Sequence, residues 1–348
     1  MIASWPTKKL GETAQLRMGE TLIKKDLTGD GVPVYSADSL EKPWGYTSKN
    51  KLKFRRGAIV IGARGTIGSL KLPEDNYFTS TQTTIVVEPN IKEVLPEFLF
   101  YFLNTLNFRK AGTGIPMITI SYLKTIKIFL PPLKVQQKIV ERLDAIKKVQ
   151  ELNDKQIELA EELFQSLLHR ELDPKGKNWE MKSLGELCNI YQPKTITSTE
   201  ILKSGPYKVY GANGVIGYYN KYNHEDSEVL VTCRGATCGT INLSEPKCWI
   251  TGNAMVVHPK VDNLSKIFLY YTLKNSNLSG AITGAAQPQI TRASLSPLKI
   301  PLPPLETQQK IVEKLSAVQE YKKKFLGQKQ KLQELFESVL NKSFKGQL

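Results

Sequence analysis

Histidine, cysteine and acidic residues are all scarce in this chain, and each shortage excludes something. Three histidines and four cysteines serve 348 residues, and 33 acidic side chains face 48 basic ones. All four cysteines lie in the second half: Cys188, Cys233, Cys238 and Cys248. A chain of this size with so few thiols is not a disulfide scaffold. Cys233 and Cys238 with His224 or His258 match no common zinc spacing, so buried free thiols are the expectation. No apolar run approaches the roughly 18 residues of a membrane span. The opening MIASWPTKKL has no signal-peptide core, which points to a cytoplasmic protein with no membrane partner. Neither G-x-x-x-x-G-K-[ST] nor G-x-G-x-x-G occurs. The Asn/Asp-Pro-Pro-aromatic clamp of an amino-methyltransferase is also missing, its place taken by Leu-Pro-Pro-Leu. No repeated carboxylate pair suits metal-assisted phosphodiester cleavage. The chain is therefore expected to be non-catalytic by itself and to bind no cofactor or metal. The acid deficit leaves a formal charge of +15, which favours a polyanionic partner.

What is present is present twice. Residues 130–143 read LPPLKVQQKIVERL and residues 302–315 read LPPLETQQKIVEKL, an offset of 172. The offset holds to the end of each segment, where Leu163, Phe164, Ser166 and Leu168 return as Leu335, Phe336, Ser338 and Leu340. A repeat this long implies two halves and an approximate two-fold relation. Duplex DNA is a two-fold ligand. Charge is uneven too: +7 over residues 1–130, −1 over 131–172, +5 over 173–301 and +4 over 302–348. The first repeated segment is nearly neutral while both segments preceding a repeat are basic, which points to those preceding segments as the polyanion-facing surfaces. The same boundaries define the expected domains: a globe at 1–130, a helix at 131–172, a second globe at 173–301 and a second helix at 302–348.

Each repeated segment follows a double proline and then runs without proline to the end of the pattern. Some 37 helical residues would span roughly 55 Å. The apolar spacing alternates four and three. It runs Ile139, Leu143, Ile146, then polar Gln150 and Asn153, then Ile157, Ala160, Phe164 and Leu167. The second helix runs Ile311, Leu315, Val318, Lys322, Phe325, Lys329, Leu332, Phe336 and Val339. This period marks a coiled-coil seam, defective at mid-helix, and it predicts an intramolecular pair whose ends pack best. Residues 173–301 join the end of one helix to the start of the next. A compact domain with neighbouring termini closes that link most simply if the helices are antiparallel. The expected architecture is α+β, with two pseudo-symmetric, mainly β globes joined by two long antiparallel helices.

The globes echo each other. Trp5…Leu10-Gly11-Glu12 returns as Trp179…Leu184-Gly185-Glu186, AIVIGARGTIG (58–68) as VLVTCRGATCG (229–239), and Phe98-Leu99-Phe100-Tyr101 as Phe268-Leu269-Tyr270-Tyr271. Short β-branched runs broken by glycine and asparagine predict strands and hairpins, with a turn at Asn213-Gly214. Short helices are expected near 96–108 and 265–275. Arg64 and Arg234, each followed by glycine, suit phosphate or guanine, because the guanidinium fork donates two hydrogen bonds at once. A strand-end arginine in a structural turn is the competing reading, and the extra residue in the second motif leaves their equivalence open. Thr81, Gln82 and Asn253, together with Gln287 and Gln289, have side chains able to read bases or to cap local backbone. Asn213 and the aromatics Tyr35, Trp44, Tyr46 and Tyr210 complete the candidate DNA-contacting set, with core or rim positions as their alternative.

Taken together, Leu-Pro-Pro-Leu-x-x-Gln-Gln-x-Ile-Val after two β-rich globes, the RG-x-x-G segments and residues 283–312 (TGAAQPQITRASLSPLKIPLPPLETQQKIV) resemble the specificity subunit of type I DNA restriction-modification systems. The resemblance covers essentially the full length. It implies two target-recognition domains, each reading half of a split asymmetric site in double-stranded DNA, with the helices setting the unread spacer. It also implies docking of methyltransferase subunits, usually two, that use S-adenosylmethionine. Restriction/translocase subunits using ATP and Mg would complete the complex. A coiled-coil scaffold for other protein partners, or a fragment of a fused restriction-methylation enzyme, are the alternatives. The basic globes and the missing cofactor motifs weigh against them.

Overall fold

The structure is a computed structural model that describes residues 5–108, 117–284 and 287–344. The first half builds β1 (Thr7–Lys9), α1 (Leu10–Thr13), β2 (Ala14–Met18), β3 (Val32–Tyr35), β4 (Gly45–Thr47), β5 (Phe54–Arg55), β6 (Ile59–Gly62), β7 (Leu70–Lys71), β8 (Tyr77–Ser80) and β9 (Thr84–Pro89). It continues through α2 (Pro96–Asn104), α3 (Ile120–Thr125) and β10 (Lys127–Phe129) to the 40-residue α4 (Leu133–Leu172). The second half has β11 (Glu180–Ser183), α5 (Leu184–Leu187), β12 (Cys188–Tyr191), β13 (Tyr207–Gly211), β14 (Gly214–Tyr219), β15 (Val229–Thr232), β16 (Ile241–Leu243), β17 (Trp249–Ile250) and β18 (Ala254–Pro259). Then come α6 (Lys266–Asn275), β19 (Ile282–Thr283), β20 (Gln289–Ile290), α7 (Arg292–Leu295), β21 (Lys299–Leu302) and α8 (Leu305–Phe344), also 40 residues. The chain forms two compact units, Met1–Asp154 with Gly327–Leu348, and Lys155–Leu326. Both α4 and α8 contribute to both units.

The two halves carry the same wiring. A four-stranded antiparallel sheet has the order β2-β9-β6-β7 in one and β12-β18-β15-β16 in the other. A second sheet, β4-β3-β8-β5 or β14-β13-β17, contains a parallel pair in each case, β3 with β8 and β13 with β17. The two-stranded ribbons β1-β10 and β11-β21 bring the ends of each β-rich segment together. The β-branched runs explain the layering, since successive side chains point to opposite faces. In the first half, Ile59, Ile61, Ile85 and Val87 pack with the helices, while Val60 and Val86 face a second core around Tyr35, Phe54 and Phe78. In the second half, Val229, Val231, Met255 and Val257 face the helices, while Leu230 and Val256 pack with Tyr210 and Ile250.

The repeated Leu-Gly-Glu is a turn of helix with its own cap. Leu10 and Leu184 are fully buried, and the N–H groups of Lys9 and Ser183 donate to the carboxylates of Glu12 and Glu186 at 2.8 and 3.0 Å. The repeated Gln-Gln has a role too. In the first unit Gln136 is fully buried; its Oε1 accepts from the Leu95 N–H at 2.8 Å and its Nε2 donates to the carbonyls of Glu93 (2.9 Å) and Pro131 (2.8 Å). In the second unit Gln308 does the same with the Ser265 N–H (2.9 Å) and the carbonyls of Asn263 and Pro303 (both 2.8 Å). One amide thus ties the start of a long helix to the start of the short helix of its β-domain.

Within each unit the segments of α4 and α8 are antiparallel. In the second unit Lys314 pairs with Glu171 at 3.1 Å and Lys322 with Glu161 at 2.5 Å; in the first, Lys329 pairs with Asp154 at 2.9 Å. Lys322 and Lys329 are the residues that break the apolar seam, and each meets a carboxylate there. Burial concentrates where the short helices join. In the first unit Ile139 and Leu143 pack with Phe98 and Phe102 of α2, with Phe336 and Val339 partly buried beside them; Ile146 is half-buried. The Tyr101 ring lies 6.1 Å from Phe336, and its hydroxyl donates to Asp144. In the second, Phe164, Ile311, Leu315 and Val318 pack with Phe268 of α6, with Leu167 partly buried, and the Tyr271 ring lies 5.9 Å from Phe164. Leu168 belongs to the same core, while Leu163 and Leu335 stay exposed.

Candidate nucleic-acid interface

In the first half the turn after β6 is built on backbone. Ala63 and Arg64 donate N–H bonds to the Thr83 carbonyl at 2.8 and 3.0 Å, and Gly68 donates to Gly62 at 2.8 Å. Thr66 donates to the Ala37 carbonyl at 3.3 Å, which brings the segment after β3 alongside. Gly65 and Gly68 have φ of 77° and 81°, a region costly for any residue with a Cβ. The Thr81–Thr84 turn fills the remaining side. The Thr81 hydroxyl bonds Ser36 at 3.2 Å and meets that of Thr83 at 2.7 Å, and Gln82 Oε1 accepts from the Thr21 hydroxyl at 2.9 Å. Arg64 and Gln82 both project to solvent from this cluster.

The second half repeats the cluster with other side chains. Cys233 donates N–H to the Asn253 carbonyl at 3.4 Å, and Gly239 to Thr232 at 2.8 Å, with Gly235 and Gly239 at φ of 86° and 91°. The Ile290 N–H reaches the Cys233 carbonyl at 3.0 Å, as the Ile118 N–H reaches that of Ala63 at 3.0 Å. These bonds place Arg234 at the position of Arg64, so the extra residue is absorbed later in the turn. Arg234 also bridges Gln289 of β20. Gln192 Nε2 donates to the Gly252 carbonyl at 3.1 Å, and the Gly252 N–H to the Thr195 hydroxyl at 3.1 Å. Among the described residues, no side-chain ion pair or hydrogen bond is found at Arg64 or Arg234.

Trp44, Tyr46, Asn213, Asn253, Gln287 and Gln289 are exposed. Trp44 and Tyr46 line the β4 edge rather than the turn cluster. Tyr35 and Tyr210 are corrected: both are core residues. The Tyr35 hydroxyl donates to Asp75 at 2.7 Å, and that of Tyr210 accepts the Glu245 N–H at 3.1 Å. Burial raises both phenols above their usual range, with the Asp75 bond adding to the effect on Tyr35. Thr81 is corrected likewise, since its buried hydroxyl is spent inside the turn. The hairpin between β13 and β14 turns on Ala212-Asn213, one residue earlier than the Asn-Gly signal, because Gly211 pairs with Gly214. Thr113-Gly114-Ile115-Pro116 and Ala285-Ala286 lie outside the described residues. Sequence reasoning missed Thr21, Thr83, Gln192 and Thr195, whose polar side chains carry no local signal of the turns they brace.

One difference of charge stands out. Residues 49–56 (KNKLKFRR) leading into and through β5 carry Lys49, Lys51, Lys53, Arg55 and Arg56 with no acid, and all five are exposed. Lys53 lies 4.3 Å from the Tyr77 ring centroid. Residues 221–228 (KYNHEDSE), preceding β15, are acidic, and Glu228 is buried between His258 (2.9 Å) and Lys266 (3.2 Å).

A family model for the type I restriction modification DNA specificity domain matches residues 3–162 and again residues 176–335. A Haemophilus influenzae chain named as a type I restriction enzyme specificity subunit is 32% identical over 147 residues, which is 41% of this chain and 38% of its own length. The type I restriction enzyme MjaVIII specificity subunit of Methanocaldococcus jannaschii is 24% identical over 352 residues, covering 87% of this chain and 81% of that one. The solved structure of a type I restriction-modification S subunit from M. genitalium superposes with a TM-score of 0.67 at 20% identity, covering 98% of this chain and 96% of that one, which shows the shared fold. Among the described residues no helix is long and apolar enough to cross a membrane. With one sheet framework built twice, one turn cluster presented twice, and the family model spanning both copies, the chain belongs to the type I restriction-modification DNA specificity family.

Proposed function

We propose that this chain is the sequence-reading, non-catalytic subunit of a cytoplasmic restriction-modification complex, and that each β-domain reads one half of a split site in duplex DNA. The observation that carries the reading is the pair of turn clusters. One backbone framework presents Arg64 and Gln82 in the first domain, and Arg234, Asn253 and Gln289 in the second. Side chains that reach base edges specify sequence, whereas contacts to the sugar-phosphate backbone position the protein. A shared frame with divergent tips suits two readers of different half-sites. The excess of base over acid supplies the sequence-independent attraction.

The long helices have two roles in this proposal. Their fixed length sets the number of unread base pairs between the half-sites. Their outer faces dock the methyltransferase subunits, two in number, which bring S-adenosylmethionine. Restriction/translocase subunits add ATP and Mg chemistry. Apolar exposure supports docking. In the second unit Leu159, Leu163 and Tyr321 are about half exposed and, with Ala160, Val318 and Phe325, line a hollow of about 260 Å3. In the first unit Val149, Leu152 and Leu335 are similarly bare. Apolar side chains spaced three and four apart along a helix suit the apolar stripe of another helix. The test is methylome mapping of cells with and without this gene. A split motif methylated only when the gene is present supports the proposal, and a methylome indifferent to the gene refutes it.

A further inference from the structure

Two domains that read different sequences must still grip the same phosphate backbone. The duplicated chain therefore contains its own comparison. A side chain identical at equivalent positions of both domains cannot distinguish the half-sites, whereas one that differs can. Resting on the DNA-reading role proposed above, we infer that Arg64 and Arg234 are sequence-blind phosphate anchors, and that discrimination falls to the side chains that replace one another around them.

Three matched backbone bonds fix the equivalence: Ala63 or Cys233 to the following turn, Gly68 or Gly239 back to the strand end, and Ile118 or Ile290 to the residue before the arginine. In this common frame both arginines are exposed, and neither is drawn into an ion pair among the described residues. The flanking left-handed glycines, Gly65 and Gly235, leave no Cβ beside the guanidinium stem, so a strand of DNA can approach the backbone closely. The fork geometry of arginine matches phosphate oxygens.

Around the anchors the residues change in kind and in register. The Thr-Gln-Thr-Thr turn (81–84) matches Thr-Gly-Asn-Ala (251–254), because Thr81 and Thr251 donate N–H to Tyr35 and Tyr210, and Thr84 and Ala254 donate back to Thr81 and Thr251. Gln82 therefore stands where the second domain has Gly252, and Asn253 stands where the first has Thr83. Within these matched turns each domain has one exposed carboxamide able to address adenine, displaced by one residue relative to the arginine. Thr21 holds the Gln82 carbonyl oxygen at 2.9 Å, so this amide is oriented from within its own domain.

The test uses the complex of the full chain with its methyltransferase subunits. It compares a duplex bearing the mapped motif with a scrambled duplex of equal length, across a salt series. The expected result for Arg64→Ala or Arg234→Ala is an equal loss of affinity for both duplexes, a salt slope shallower by about one, and an unchanged methylated motif. Arg64→Lys, which keeps the charge, should retain the wild-type slope. Gln82→Ala and Asn253→Ala should each relax the motif at one position, in one half only, with the slope unchanged. An arginine variant that loosens the motif at a single base overturns the inference in favour of guanine reading. Unchanged affinity and slope overturn it outright. If the wild-type complex has no motif at all, it is the DNA-reading role that fails, a result distinct from either of these.

Discussion

Replacing Gln136 with leucine removes one side chain and three hydrogen bonds. The Leu95 N–H and the Glu93 and Pro131 carbonyls lose their partner in a site with no solvent exposure at the glutamine. An orphaned buried donor costs about 1–3 kcal/mol, and under-satisfied carbonyls cost less because each has a second lone pair. Leucine returns about 2 kcal/mol by burying apolar surface. With about 1 kcal/mol for each carbonyl, the net loss should be about 1–3 kcal/mol, felt in the unit containing α2 and the start of α4. Denaturant unfolding gives the size, and hydrogen exchange gives the place: the Leu95 amide should lose protection first. Gln136→Glu sharpens the test. The carboxylate would face two carbonyls, so burial raises its pKa above the unfolded value of about 4.3. A raised acid contributes stability below the unfolded pKa and loses it as pH climbs through the folded value. This variant should therefore weaken, relative to wild type, between pH 5 and 8. Gln308→Leu should do the same to the other unit through the Ser265 amide. A leucine variant within 0.5 kcal/mol of wild type, with Leu95 still protected, would refute the reasoning.

Three further outcomes follow from the same geometry. Leu159→Asp, at a side chain 52% exposed, should leave the thermal melt unchanged but weaken retention of the methyltransferase subunit at least tenfold in co-purification; undiminished retention removes the docking face. Deleting one heptad from both α4 and α8 shortens each by about 10 Å, so the mapped spacer should contract by up to about three base pairs; an unchanged spacer removes the ruler. Cys238 is the partly exposed thiol, while Cys188, Cys233 and Cys248 are buried, and burial pushes Cys188 up to about 12. Native labelling at pH 8 should modify Cys238 first, and rapid labelling of Cys188 would contradict the packing.

The framework was legible because it rests on local pattern. Runs such as Ile59–Ile61 and Val229–Val231 announce buried strands, and the repeated proline-helix boundary announces the halves. The polar middle of the seam was legible as a defect, but not as ion pairs, because Glu161 lies 161 residues from Lys322. That bond, with one from Gln165, holds the Glu161 carboxyl below its usual range. The task of Gln136 was hidden for the same reason, since Glu93 and Leu95 are more than 40 residues away. Tyr35 and Tyr210 misled because a tyrosine at a strand end has the same local sequence whether its ring points in or out; the parallel partner strands β8 and β17 decide it. The equivalence of Arg64 and Arg234 needed backbone bonds to establish, because the inserted residue blurs the alignment of their motifs.

If the two β-domains read separate halves of one site, each can be exchanged without disturbing the other. The measurement that tests it most directly is methylome mapping after residues 1–130 are exchanged for the corresponding domain of another specificity subunit with a known motif. One half of the methylated motif is expected to change to that of the donor while the other half and the spacer persist. A change in both halves, or in neither, would contradict it.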